Sequence, residues 1–104
     1  MDAIAERFGS NIVVLDMQEI TLLTDYFVLC DAESTPQFRA IVDEIDERAS
    51  TAGGRRLHAE GEPESGWILL DYGQVVVHIF EPRLRAYYNL EGLWDKARLV
   101  VHIQ

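Results

Sequence analysis

Three histidines, one cysteine and a run of carboxylates are the side chains best suited to chemistry in this 104-residue chain. His58, His78 and His102 each fall inside a strand-like run. No two stand four apart on a helix or two apart on one strand face, the spacings that bring paired imidazoles onto one metal ion. The carboxylates of "DEIDE" (43 to 47) lie on the polar side of a helical repeat, where Glu44 and Arg48 have the i,i+4 spacing of a surface ion pair. That pattern reads as a solvated helix face. Cys30 sits in an apolar run with no adjacent basic residue or histidine to lower its pKa, so it reads as a buried structural thiol. A lone cysteine closes no internal disulfide, in keeping with a reducing compartment.

The strongest hint of catalysis is "GSNIVVLDMQ" (9 to 18). Nucleotidyltransferases place Gly-Ser before a strand that ends in an Asp-x-Asp pair of metal carboxylates. Gly9, Ser10 and Asp16 follow that pattern, but Gln18 stands at the second acidic position. A neutral amide cannot share and neutralise a second Mg²⁺ ion. There is no Gly-rich phosphate loop, Ser-centred nucleophile motif or Cys/His pairing elsewhere. No catalytic residue, cofactor or metal ligand is assigned, and the sequence points to a binding protein.

Composition agrees. With 48% hydrophobic and 26% charged residues the chain suits one compact domain. No run approaches the ~20 apolar residues that cross a bilayer, and "MDAIAERFGS" lacks the basic start and apolar centre of a secretory signal, so a cytoplasmic protein is expected. Eighteen acidic residues against nine basic ones give a net charge of -9. That charge opposes docking on nucleic-acid phosphates and attracts a basic partner.

The elements that must position these groups follow from periodicity. "NIVVLD" (11 to 16) and "DYFVLCD" (25 to 31) are short β-branched and aromatic runs, expected to be strands covered on both faces, with "MQEITLLT" a loop between them. Residues 35 to 52 switch to helical spacing, with Phe38, Ile41, Val42, Ile45 and Ala49 on one stripe. Ser34 or Thr35 caps the start, Pro36 suits the first turn, and Gly53-Gly54 stops the helix. "RRLHAEG" (55 to 61) reads as a short edge strand and "EGEPESG" as a polar turn. "WILLDYGQVVVHIFEP" (67 to 82) reads as a hairpin about a Tyr-Gly turn. "RLRAYYNLEGLW" is expected to be a short irregular helical segment returning over the sheet, and "ARLVVHI" a last strand or ordered tail. The sum is an α/β domain with a mixed sheet flanked by helices.

Aromatic residues gather in the last third: Trp67, Tyr72, Tyr87, Tyr88 and Trp94, interleaved with Asp71, Glu81, Arg83, Arg85, Glu91 and Asp95. Tyr and Trp give large contact area at low entropic cost and, with Arg, dominate interface hot spots. A surface patch on the hairpin and the segment after it is expected.

"LTDYFVLC", "ESTPQFRAIVDEI" and "LHAEGEPESGWILLDYGQVVVHIFEPRLRAYYNLEGLW" closely resemble the ribosomal silencing factor family, also called Iojap-like proteins. The family carries a Thr-Asp-aromatic strand, then a Gly-Trp hairpin with Val-Val-Val-His, then Arg-x-[Tyr/Phe]-Tyr-x-Leu-Glu-x-Leu-Trp. The resemblance runs from about residue 11 to Trp94. It implies an α/β fold related to the nucleotidyltransferase architecture. It also implies a non-enzymatic factor that docks on the large ribosomal subunit at its protein of the uL14 type, blocks joining of the small subunit, and so represses translation when nutrients are short. Organellar relatives assist large-subunit assembly, which is the alternative role, and members form homodimers. By position, the resemblance transfers docking to Trp67, Asp71, Tyr87, Tyr88, Glu91 and Trp94, with Tyr72 and His78 as further members. Three departures stand out: "DAES" replaces Thr-Gly-Thr-Ser after the second strand, Gln74 replaces an acidic residue beside the turn glycine, and the N-terminal helix is reduced to about "DAIAERF".

Overall fold

The computed structural model describes Ile4, residues 9–93 and residues 98–103. The shortened N-terminal helix expected over "DAIAERF" and the predicted contact residue Trp94 therefore lie outside the described residues, Ile4 apart.

Six strands form one mixed sheet: β1 (Ser10–Asp16), β2 (Tyr26–Asp31), β3 (His58–Glu60), β4 (Trp67–Asp71), β5 (Val75–Phe80) and β6 (Arg98–Ile103). Their spatial order is β3-β4-β5-β2-β1-β6. β2 and β5 pair in parallel, Tyr26 opposite Val75 and Asp31 opposite Phe80. The other neighbouring pairs are antiparallel. A parallel pair needs a long crossover, and the chain supplies it with α1 (Thr35–Thr51), β3 and β4 before β5 returns beside β2. The expected tail is the edge strand β6, joined to β1 from Ile12–Ile103 to Asp16–Arg98.

Local chemistry explains the element ends. Ser34 is extended (φ -144, ψ 156) and its hydroxyl accepts the Gln37 amide at 3.2 Å, so it is the cap of α1. The helix ends at Thr51, just before the two glycines. The expected strand over 55 to 61 shrinks to His58–Glu60, all three residues exposed at the sheet edge. Short edge strands limit unwanted pairing. The polar turn contains a 3-10 turn, Pro63–Ser65, closed by a reciprocal cap between Glu62 and Ser65. The irregular helical segment is two pieces, α2 (Pro82–Tyr88) and α3 (Leu90–Leu93), broken where Asn89 adopts φ +47.

Strand side chains alternate between two cores. One face carries Ile12, Val28, Cys30, Ile68, Leu70, Val77 and Ile79, and is covered by Phe38 and Ile41 of α1. The other carries Val13, Leu15, Leu29 and Phe80, with Trp67, Leu84 and Leu90 packed on it. The central strands are thus covered on both faces. Cys30 is wholly buried, and burial chiefly pushes its thiol up to about 12. That thiol is inert at neutral pH.

Candidate functional site

The aromatic residues converge on the face opposite α1, at the end of the sheet where β4 begins and β5 ends. Trp67 and Phe80 are opposite each other across the antiparallel pair, and their rings stack with centroids 4.9 Å apart. Tyr88 brings its ring to 4.9 Å from that of Trp67, and Tyr87 meets Tyr88 edge-on at 5.2 Å. Tyr87 is 81% exposed and Tyr88 46%. The capped turn after β3 walls this cluster. A Cβ at Gly61, which holds φ +87, would fall 2.0 Å from the Trp67 carbonyl oxygen, and one at Gly66 (φ +80) would fall 2.6 Å from Leu84 Cδ1. Both positions require glycine, and they clamp the turn onto Trp67 and α2. Between turn, sheet and helix lies a groove of about 330 Å³ lined by Glu60, Gly61, Ser65, Trp67, Leu69, Leu84 and Tyr88.

His78 lies beneath the cluster and is 4% exposed. The Trp67 indole Nε1–H donates to its Nδ1 at 3.3 Å, and Phe27 meets its ring edge-on at 5.0 Å. Burial lowers its pKa to about 4, so the ring is neutral at pH 7. With Nδ1 accepting, the proton sits on Nε2, which is buried and has no partner among the described residues. An enclosed imidazole presents no surface to a partner. Its place in the site is to orient Trp67.

The other predicted members separate. Asp71 lies four residues along β4 from Trp67, about 13 Å away at strand rise, and its carboxylate accepts the Gly73 amide at 2.7 Å to close the hairpin turn. Tyr72 is an odd number of residues from Trp67 and packs with the core on the α1 face. Its hydroxyl donates to Asp46 at 2.5 Å; burial first, and that bond second, push its pKa well above the ordinary tyrosine value. One flat surface cannot present both Trp67 and Tyr72. Glu91 lies in α3 beside the cluster in sequence, but nothing is described of its side chain.

Two features escaped the sequence reading. Arg85, seen there only as one charge among many, is 9% exposed; its Nη1 donates to Asp31 Oδ1 at 2.8 Å and to the Asn11 carbonyl at 2.6 Å. Asn11 Nδ2 completes the network by donating to Asp31 Oδ2 at 2.9 Å. This network pins α2, and with it Tyr87 and Tyr88, to the sheet. Glu60, Leu69 and Leu84 were also missed as groove walls; the even spacing of Leu69 from Trp67 was the available signal.

Two of the four carboxylates in the run expected to be a solvated face, Glu44 and Asp46, take part in pairs. Glu44 accepts from Arg48 at 3.0 Å, as its spacing predicted, while Asp46 is shared by Tyr72 and, at 2.9 Å, Arg56. Asp16 accepts the Gln18 amide at 2.9 Å, which makes the sequence that resembled a metal pair a simple turn. Among the described residues no group of three or more His, Cys, Asp or Glu side chains is placed to hold a metal ion, and no helix is long and apolar enough to cross a membrane.

Comparison with known proteins gives a consistent result. The model of the family described as "Ribosomal silencing factor during starvation" matches residues 1–104. The chain is 43% identical to the ribosomal silencing factor of Bacillus subtilis over 94 residues, covering 90% of this chain and 80% of that one. It is 36% identical to the chloroplastic protein Iojap of Arabidopsis thaliana, covering 86% of this chain but 37% of that longer one. A crystal structure of a Chromobacterium violaceum protein superposes with a TM-score of 0.85 at 31% identity, covering 90% of this chain and 78% of the other. One from Bacillus halodurans superposes at 0.81 and 37% identity, covering 96% and 90%. With its whole length matched, its mixed sheet shared and its Gly-Trp hairpin in place, the chain belongs to the ribosomal silencing factor (Iojap) family.

Proposed function

We propose that this protein silences translation without catalysis: it docks on the large ribosomal subunit at its protein of the uL14 type and excludes the small subunit by overlap when nutrients are limiting. The observation that carries this reading is the aromatic cluster of exposed Tyr87 and Tyr88 against half-buried Trp67, built on a capped turn and an ion-paired helix. Pre-organised aromatic rings lose little entropy on binding. The net charge of -9 favours encounter with a basic ribosomal protein. An interface of roughly 1,200 to 2,000 Å² suffices for specific docking, and steric exclusion needs no chemistry beyond it. Glu91 and Trp94 belong to the proposed surface by their place in the sequence, whereas Asp71 and Tyr72 support the hairpin that carries it.

Co-sedimentation with separated subunits tests the proposal. The protein should pellet with large subunits, fail to pellet with small ones, and reduce their joining. Tyr87→Ala removes an exposed ring that the cores do not use, and should weaken large-subunit binding at least about tenfold, the scale of a hot spot, with folding unchanged. Equal binding to both subunits, or none to the large one, would overturn the reading.

A further inference from the structure

The groove beside Trp67 has a chemistry of its own. Its lining combines the apolar side chains of Leu69 and Leu84, the rings of Trp67 and Tyr88, and the carboxylate of Glu60. Phe80 stacks on Trp67, so the indole is supported from behind. Ser65 is held in place, its hydroxyl donating to the Glu62 carbonyl at 2.7 Å. The Glu60 side chain is 68% exposed and one of its oxygens, Oε1, meets His58 Nε2 at 2.9 Å. Among the described residues that line it, none is a lysine or arginine.

We propose that this groove seats one arginine side chain of the basic partner, its aliphatic stem on Leu69 and Leu84, its guanidinium against the rings of Trp67 and Tyr88, and its charge answered by Glu60. The inference rests on the docking reading above and names the partner chemistry that this part of the surface selects. Three properties of the site favour arginine. Aromatic faces attract cations, and a planar, weakly hydrated guanidinium stacks on them better than an ammonium does. The Glu60 carboxylate matches the guanidinium fork. The groove's apolar lining of Leu69 and Leu84 accepts the methylene stem, which an acidic or short polar side chain lacks. The acidic balance of the whole chain acts in the same direction.

The test has two arms, both with the full chain. In the first, isotope-labelled protein is titrated with a blocked Gly-Arg-Gly peptide and with its citrulline counterpart, which keeps the shape and loses the charge. Arginine should shift the Gly61, Ser65 and Leu69 amides and the Trp67 indole N–H, and citrulline should bind at least about tenfold more weakly. Glu60→Gln should narrow that difference. In the second arm, Glu60→Gln should weaken large-subunit binding about fivefold and Glu60→Lys considerably more. Equal responses to the two peptides, shifts outside the groove, or unchanged subunit binding by Glu60→Lys would each overturn the proposal. The two readings fail separately. A wild-type chain that binds no large subunit defeats the docking reading, and the peptides still decide the groove. Subunit binding indifferent to Glu60 defeats the groove and leaves docking standing.

Discussion

The two faces of the sheet are built from different materials. Under α1 the core is mainly aliphatic, with Ile12, Val28, Ile68, Leu70, Val77 and Ile79 meeting Phe38 and Ile41 of a 17-residue helix. On the opposite face a seven-residue helix covers aromatic rings, a buried ion pair and a histidine whose Nε2 has no partner among the described residues. The first face gains its stability from apolar area, which tolerates many sequences of the right volume. The second relies on directional contacts that fix Trp67, Tyr87 and Tyr88 in one arrangement. The difference teaches where to look for function. A protein that needed only stability would cover both faces as α1 covers the first.

Removing one partner of the ion pair should break that contrast most severely. Arg85→Met leaves the Asp31 carboxylate, itself 5% exposed, without its counter-charge. We expect a loss of about 3–5 kcal/mol in chemical denaturation. Adding Asp31→Asn removes the stranded charge and should restore part of the loss, while large-subunit binding stays impaired because α2 has lost its anchor. By comparison, Ile41→Ala on the α1 face should cost about 2–5 kcal/mol and leave the binding of the folded fraction unchanged. If Ile41→Ala weakened binding as much as the double variant did, the division of labour between the faces would be wrong.

The histidine sharpens the same contrast through pH. In the folded protein the pKa of His78 is lowered from 6.5 to about 4, so between these values the unfolded chain takes up a proton that the folded chain refuses. Above pH 6.5 the ring is neutral in both states and has no effect. As pH falls through 6.5 toward 4, stability is lost, and below 4 the loss is complete at up to about 3 kcal/mol. Other groups titrate over this range, so the informative quantity is the difference between wild type and His78→Phe. Their denaturation midpoints should differ most at neutral pH, where the variant strands the Trp67 indole N–H, and converge as pH approaches 4.5. Parallel profiles would show that His78 is not enclosed in solution.

How much of this was legible in the sequence depends on the range of each interaction. Strand runs, a helix cap at Ser34 or Thr35, the Tyr-Gly hairpin turn and the irregular helical segment are local, set by residues within four positions of one another, and periodicity with cap- and turn-forming residue types carried them; the structure chose Ser34 as the cap. The parallel pairing of β2 with β5 is not local, because apolar runs do not say which neighbour they take. Arg85 and Asp31 are 54 residues apart, and neither carries a mark of the other. The candidate site was legible as a cluster of types and less so as a surface. Alternation along β4, carried one residue past its end, already put Trp67 and Tyr72 on opposite faces, yet proximity in the sequence grouped them. The burial of His78 was hidden because the ring that covers it, Trp67, is its neighbour only through the β4–β5 register.

Tyr72 gives the smallest effect and the cleanest boundary between the faces. Its hydroxyl ties the hairpin tip to Asp46 of α1, and Asp46 also holds Arg56 in the loop that leads to β3. Tyr72→Phe keeps the ring and its packing and removes one hydrogen bond to a half-exposed carboxylate that retains its other partner. The expected cost is about 1.5 kcal/mol, the lower end of the range for bonds to charged groups. Because the lost contact lies on the α1 face, large-subunit binding should match wild type within twofold, whereas Tyr87→Ala on the other face should lower binding without touching stability. Equilibrium denaturation and co-sedimentation on the two variants separate these effects. A Tyr72→Phe protein of normal stability but weak binding would return Tyr72 to the docking surface, and would mean that the partner wraps around the hairpin tip to reach both faces of the sheet.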